Sequence, residues 1–310
     1  SQARLTVTQS GGNVVITSSV YDPNTTDSFS YVWNASIDNL SGAESKFIFD
    51  PSSLETGVYP IEVNVTDSGE PALSDRAVIY IHVVASLATL TNEDSDGDLI
   101  PDNVEGYRDV DRDGIPDYLD RVMECNVLHE DSSIQNQFLV EGDPGVCIRR
   151  GEFTFISENN GALLLDEGSE ISGAIVEDTQ AVNVGGMMNF IAYGLPETNT
   201  SYRIAIPQRK PIPQEAVYRK FRQDTGWGDF VEDSDNSLWS TRGEPGYCPP
   251  TGSSLWQPGL NTGDWCVQLI IKDGGANDDD NSINGTIIDP GYVGTLLSSQ
   301  KWRCYSIRFV

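Results

Sequence analysis

Residues 94–120 read DSDGDLIPDNVEGYRDVDRDGIPDYLD. Acids stand at Asp94, Asp96, Asp98, Asp102 and Glu105, and the same set returns at Asp109, Asp111, Asp113, Asp117 and Asp120. The shift from Asp94 to Asp109 is fifteen residues, and both sets share Ile-Pro pairs, Ile100–Pro101 and Ile115–Pro116. A charge run without a period is a solvated face or a disordered tether. This run has one, and so many carboxylates so close together must be neutralised before the segment can hold a shape. Within each set the acids fall at positions 1, 3, 5, 9 and 12. Calcium takes six to eight oxygen ligands at about 2.3–2.6 Å, and a tightly curled loop of the EF-hand type supplies them from those positions plus a backbone carbonyl at position 7. Position 7 falls on Ile100 and Ile115. Position 6 must bend sharply, which favours glycine. Gly114 meets that demand and Leu99 departs from it. No amphipathic helices flank the loops, so this is not an EF-hand pair. The expectation is two or more Ca2+ ions, with metal binding coupled to ordering.

The DxDGxxD core with its IPD triplet in both copies resembles thrombospondin type 3 repeats, calcium-filled linkers with almost no core of their own. The resemblance implies a stiff spacer over residues 89–121, with Ile100, Pro101, Ile115 and Pro116 supplying its packing.

The charge of the whole chain agrees. It is −28 over 310 residues. Such a surface repels nucleic acid and anionic membranes, and it destabilises the compact state unless cations offset it. No apolar run approaches the ~18 residues of a membrane span, so no membrane insertion is expected. Five cysteines, Cys125, Cys147, Cys248, Cys266 and Cys304, make no CxxC pair, and the two histidines, His82 and His129, complete no zinc set. Two disulfides and a spare thiol suit a secreted chain. The sequence-local pairing is Cys125–Cys147 with Cys248–Cys266, one of fifteen ways to form two bonds. Cys304 is then free or paired between chains. Six N-x-S/T sequons, at Asn24, Asn34, Asn39, Asn64, Asn199 and Asn284, carry little weight in so Asn- and Thr-rich a chain. No signal peptide is visible at Ser1, and the chain reads as a processed or excised extracellular portion.

Residues 1–88 alternate apolar and polar over 14–20, 29–35, 47–49, 59–65 and 78–84, with turn residues between. Short strands at regular spacing in about ninety residues indicate an Ig-like β-sandwich. The stretches YDPNTTDSFSYVW and FDPSSLETGVYPIEVNVTDSG resemble cadherin-like and PKD-like modules of bacterial surface proteins. The resemblance implies that Trp33 is a buried core tryptophan and that DPSSLETGVY leads into a late strand. Asp22 and Asp67 sit where such modules bind calcium, but each also lies in a turn that favours Asp for its own backbone bonds, and the turn reading is preferred.

Residues 122–310 contain strand-like runs at 151–156, 200–206, 216–221 and 265–272, all the cysteines, and Trp227, Trp239, Trp256, Trp265 and Trp302. YRKF, the CPP around Cys248, GLNTGDWCVQLIIKDGG and NGTIIDPG resemble the choice-of-anchor U domain of bacterial exported proteins. That likeness implies a β-rich, disulfide-bearing, extracellular domain placed before a surface anchor, with no known catalysis. After Gly294 the chain departs from that pattern. Residues 301–310 alternate as a strand, either closing the domain or lent to a neighbouring subunit. The loop KDGGANDDDNSING offers Asp273, Asp278 and Asp280 as a further metal candidate, against the alternative of a solvated acidic turn.

No GxSxG, HExxH or phosphate loop is present, and neither histidine has a motif partner. The chain is therefore expected to be mostly β and not an enzyme. It reads as a calcium-stabilised structural or adhesive protein of the bacterial cell surface, binding a protein or glycan partner or itself. A filament subunit assembled by strand exchange, or a carbohydrate-binding accessory region of a secreted enzyme, are the alternatives.

Overall fold

The computed structural model describes residues 5–22, 24–37, 41–132, 138–156, 160–165, 177–222 and 224–297. Asn39, Trp302, Cys304 and the strand expected over 301–310 lie outside them. The chain is nearly all β and divides into two compact units, Ser1–Met123 and Glu124–Val310.

The first unit holds β1 (Leu5–Thr8), β2 (Val14–Thr17), β3 (Phe29–Ala35), β4 (Ser41–Ala43), β5 (Lys46–Phe49), β6 (Gly57–Asp67) and β7 (Ser74–Val84). One sheet runs β1-β7-β6-β3 and the other β2-β5-β4. All pairs are antiparallel except β1 with β7, which is parallel. The period-2 pattern that betrays these strands has its usual cause, since successive side chains face opposite sides of a sheet. Phe47, Phe49, Ile61, Ile81 and Val83 come from both sheets and form one buried cluster with Ile37, so the unit is a two-sheet sandwich. Trp33 is not the buried centre of that core. It is half-buried, its ring 5.4 Å from Phe47, and its indole N–H donates to the Glu44 carbonyl at 3.0 Å. An indole must find an acceptor, and here the acceptor lies in a turn at the sheet edge. The DPSSLETG stretch is a 3-10 turn, Pro51–Ser53, capped by Asp50, whose carboxylate accepts from Ser52 N–H at 2.9 Å. It leads directly into β6.

The described residues of the second unit form two sheets. The larger holds β10 (Cys147–Arg150), β11 (Leu163–Leu165), β12 (Ala181–Asn183), β13 (Met187–Tyr193), β15 (Ala216–Arg222), β16 (Gly226–Asp229) and β20 (Thr286–Leu296). Its order is β10-β13-β20-β15-β16, with β11 on β13 and β12 on β20. The other holds β8 (Val127–His129), β9 (Leu139–Gly142), β14 (Ser201–Pro207), β17 (Ser237–Thr241), β18 (Gln257–Pro258) and β19 (Cys266–Lys272), ordered β18-β17-β19-β14-β9-β8. Their central strands are buried residue after residue: Met187–Ala192 in β13, Asp289–Gly294 in β20, Cys266–Leu269 in β19. Continuous burial means that both faces are covered, and it erases the alternation by which a strand is recognised. That is why β13 and β20 are hard to see in the sequence.

The strand expected over 151–156 is a 3-10 helix, Glu152–Ile156. The buried Asn189 causes it. Its carbonyl accepts from Gly151 N–H at 2.9 Å, and its side-chain oxygen accepts from Phe153 N–H at 2.9 Å. These amides are thus withheld from a ladder. Glycine is required at 151, because a Cβ there would lie 2.2 Å from the Asn189 side chain. Disulfides join Cys125 to Cys147 and Cys248 to Cys266, the sequence-local pairing. Closing loops of 22 and 18 residues, each is worth ~3 kcal/mol on loop entropy.

Candidate metal centre

The two acidic repeats fold into the same loop twice. In the first, Asp94 accepts from Gly97 N–H (2.7 Å) and Leu99 N–H (3.1 Å), Asp96 from Asp98 N–H (3.1 Å), and Asp98 from Ile100 N–H (2.6 Å). In the second, Asp109 accepts from Gly114 N–H (3.2 Å), Asp111 from Asp113 N–H (3.3 Å), and Asp113 from Ile115 N–H (2.6 Å). Position 1 therefore binds the amide of position 6, position 3 that of position 5, and position 5 that of position 7, in both copies. The backbone bends at positions 4 and 6 in both, through Gly97 (φ 81°) and Leu99 (φ 79°), then Arg112 (φ 68°) and Gly114 (φ 97°). Leu99 thus adopts the left-handed geometry despite its Cβ, with its side chain in solvent. Each loop ends in Ile-Pro and a helical turn, α1 (Asp102–Glu105) in one and a 3-10 turn, Asp117–Leu119, in the other. The two proline residues differ by only a few degrees, at φ −68° and −71°.

Three carboxylate oxygens converge in each loop, one each from Asp94, Asp96 and Asp98 and one each from Asp109, Asp111 and Asp113, all within 4.8 Å of one another. Asp96 and Asp113 are buried. One oxygen each of Asp96, Glu105, Asp109 and Asp113 is buried and receives no hydrogen bond. The electrostatics record the crowding. Burial pushes Asp96 up to about 6, aided by the charges of Asp98 and Asp94. Burial, then the charge of Asp120, pushes Asp111 up to about 7 and Asp113 well above the usual range. Asp109 is raised chiefly by burial. Glu105 is pushed to about 7 by burial and then by Asp96 and Asp98. Position 12, Glu105 or Asp120, thus sits buried beside its trio in both repeats.

Position 9 behaves differently from the expected ligand. Asp102 accepts from Ser95 N–H and Oγ, both at 2.8 Å, and Asp117 accepts from Val110 N–H at 2.9 Å. Arg108 lies 3.6 Å from the other Asp117 oxygen. Neither joins the trio of its loop. Each instead clamps position 2, tying the loop's end to its start. The Ile100 and Ile115 pair is uneven too: Ile115 is fully buried, Ile100 is 43 % exposed. Tyr107 and Tyr118 stack edge to face with centroids 6.0 Å apart, and Tyr107 O–H donates to the Ala88 carbonyl.

The 273–280 loop is not a third site of this kind. Asp273, fully buried, accepts from Asn199 N–H (2.8 Å), Asn284 N–H (3.2 Å) and Gly285 N–H (3.2 Å). Asp278, also fully buried, accepts from Gly274 N–H (2.9 Å) and Ile288 N–H (3.0 Å). Asp280 accepts from Ser282 N–H and the Asn284 amide, both at 2.9 Å. Backbone amides meet these carboxylates, while burial and then the charge of Asp280 push Asp278 up to about 7.

A third convergence joins Asp22 and Asp67 to Asp27, whose part the spacing did not reveal. The turn bonds expected of the first two are present, Asp22 to Asn24 N–H at 2.7 Å and Asp67 to Gly69 N–H and Leu73 N–H at 3.0 and 2.9 Å. All three are half-exposed. Trp227, Trp239 and Trp256 pack against core clusters of the second unit. No protein-family model matches the chain, and no curated protein matches it.

Proposed function

We propose that this is a structural or adhesive protein of the bacterial cell surface whose two acidic repeats take up calcium and stiffen into a spacer. One observation carries the reading: two loops fifteen residues apart present the same carboxylate trio, with buried oxygens that no N–H serves. A buried carboxylate oxygen without a donor is costly unless a cation meets it. Hard oxygens in a curled loop suit calcium, which tolerates irregular geometry. Asp94, Asp96 and Asp98 with Glu105 would hold one ion, and Asp109, Asp111 and Asp113 with Asp120 another. Asp102 and Asp117 would hold the loops closed around them. The ion would neutralise charges that otherwise repel, so binding and rigidity are one event. The −28 charge and the two disulfides support an extracellular setting.

Calorimetric titration of calcium into chelator-treated protein tests this. Two sites are expected, with hydrogen exchange over residues 94–120 slowed on binding. Absence of binding at millimolar calcium would leave the repeats as a flexible acidic tether.

A further inference from the structure

The larger sheet of the second unit buries a lysine against an aspartate. Lys220 on β15 is 3 % exposed, Asp289 on β20 is fully buried, and Lys220 Nζ contacts Asp289 Oδ1. The two strands are hydrogen-bonded neighbours with Lys220 opposite Gly291. Asp289 is two residues from Gly291 and so shares its face. Lys220 therefore reaches diagonally past Gly291. A Cβ at Gly291 would lie 2.9 Å from Asp289 Oδ1 and 2.5 Å from the Tyr218 ring, so only glycine leaves the path open. On the other side of β20, Phe190 pairs with Asp289 and Met188 with Gly291, both buried. The pair thus sits among apolar groups. Tyr218 O–H points at the other carboxylate oxygen, 3.4 Å away.

As an ion pair this arrangement earns little, because desolvating two charges consumes most of their attraction. A dry site disfavours a charged carboxylate, and burial raises the Asp289 carboxyl. Held in contact, the two groups have an effective concentration on the order of 10⁵ M or more. We infer that Lys220 and Asp289 condense into an amide crosslink between β15 and β20. The ammonium first passes a proton to the Asp289 carboxylate. The Nζ lone pair then forms a bond to Cγ, with Tyr218 O–H stabilising the charge that develops on Oδ2. The second Nζ proton then passes to Oδ1 as the Cγ–Oδ1 bond breaks. One water leaves, and no oxidant or cofactor is required. The result is a tie that reducing agents do not open, in the half of the molecule that also carries both disulfides.

Intact mass spectrometry of the full chain, produced in bacteria, then denatured and reduced, tests this directly. The expected mass is one water below the sequence mass, with a linked peptide pair carrying residues 220 and 289. Lys220→Arg keeps a cation against Asp289 and is expected to show the full mass. Wild-type protein that retains its full mass after days in the folded state at neutral pH overturns the crosslink. A water loss confined to one peptide, as in a succinimide, does the same.

Discussion

The acidic repeats and the 273–280 loop are made of the same residues and come to opposite ends. Both are Asp- and Gly-rich, and both bury carboxylates. In the 273–280 loop the chain folds back so that amides from Asn199, Asn284, Gly285, Gly274 and Ile288 meet Asp273 and Asp278. In the repeats each loop serves its own acids with only its own few amides, and oxygens of Asp96, Glu105, Asp109 and Asp113 are left over. The lesson is one of donor count. An acid that meets enough N–H groups is satisfied by the fold itself, and one that does not is where the proposed cation would sit.

The contrast predicts different responses to the same substitution. Asp273→Ala strands three amides, at ~1–3 kcal/mol each for a buried unsatisfied group. It should therefore destabilise the second unit by several kcal/mol, with or without calcium, as read by denaturant unfolding. Asp113→Ala should cost far less in chelated protein. It strands one amide, that of Ile115, but removes a buried carboxylate crowded by Asp111 and Asp120, so the two effects offset, while calorimetry should lose one calcium site. Equal losses for both variants in chelator would break the comparison.

Acidity gives a second, smaller handle. Asp96, Glu105 and Asp111 stand at about 6, 7 and 7, above their ordinary values near 4. In that window the folded repeats hold more protons than the unfolded chain, so stability falls as pH rises from about 4 to about 7. Chelated protein should then show faster hydrogen exchange over residues 94–120 at pH 8 than at pH 5, after correction for intrinsic rates. With calcium present the order should invert, because protons and calcium compete for the same oxygens.

The smallest effect separates the two repeats from each other. Leu99 holds a left-handed φ of 79° that Gly114 adopts freely at 97°. Left-handed backbone costs an ordinary residue ~1–2 kcal/mol. Leu99→Gly should tighten the first site about threefold or more, and Gly114→Ala should weaken the second by a similar factor. Titrations in which neither variant moves its site would show that position 6 does not limit these loops.

Much of this could be read before any fold was known. The period of the acids, their places at positions 1, 3 and 5 and the sandwich strands are local, and follow from spacing and alternation. The disulfide pairing is the sequence-local one among fifteen that spacing left open. What depends on how the backbone folds back on itself was out of reach. The clamp made by Asp102 and Asp117, the arrival of Asp27 beside Asp22 and Asp67, and the helical turn that Asn189 imposes on 152–156 all depend on which backbone group meets which side chain. So does the fate of Asp273 and Asp278. Burial on both faces hid β13 and β20, and with them the meeting of Lys220 and Asp289. Sequence by itself determined which residues carry charge and at what interval. Only the tertiary structure decided which charges find hydrogen-bond donors, because those donors, anywhere from 4 to 74 residues along the chain, come within reach only when the backbone folds back.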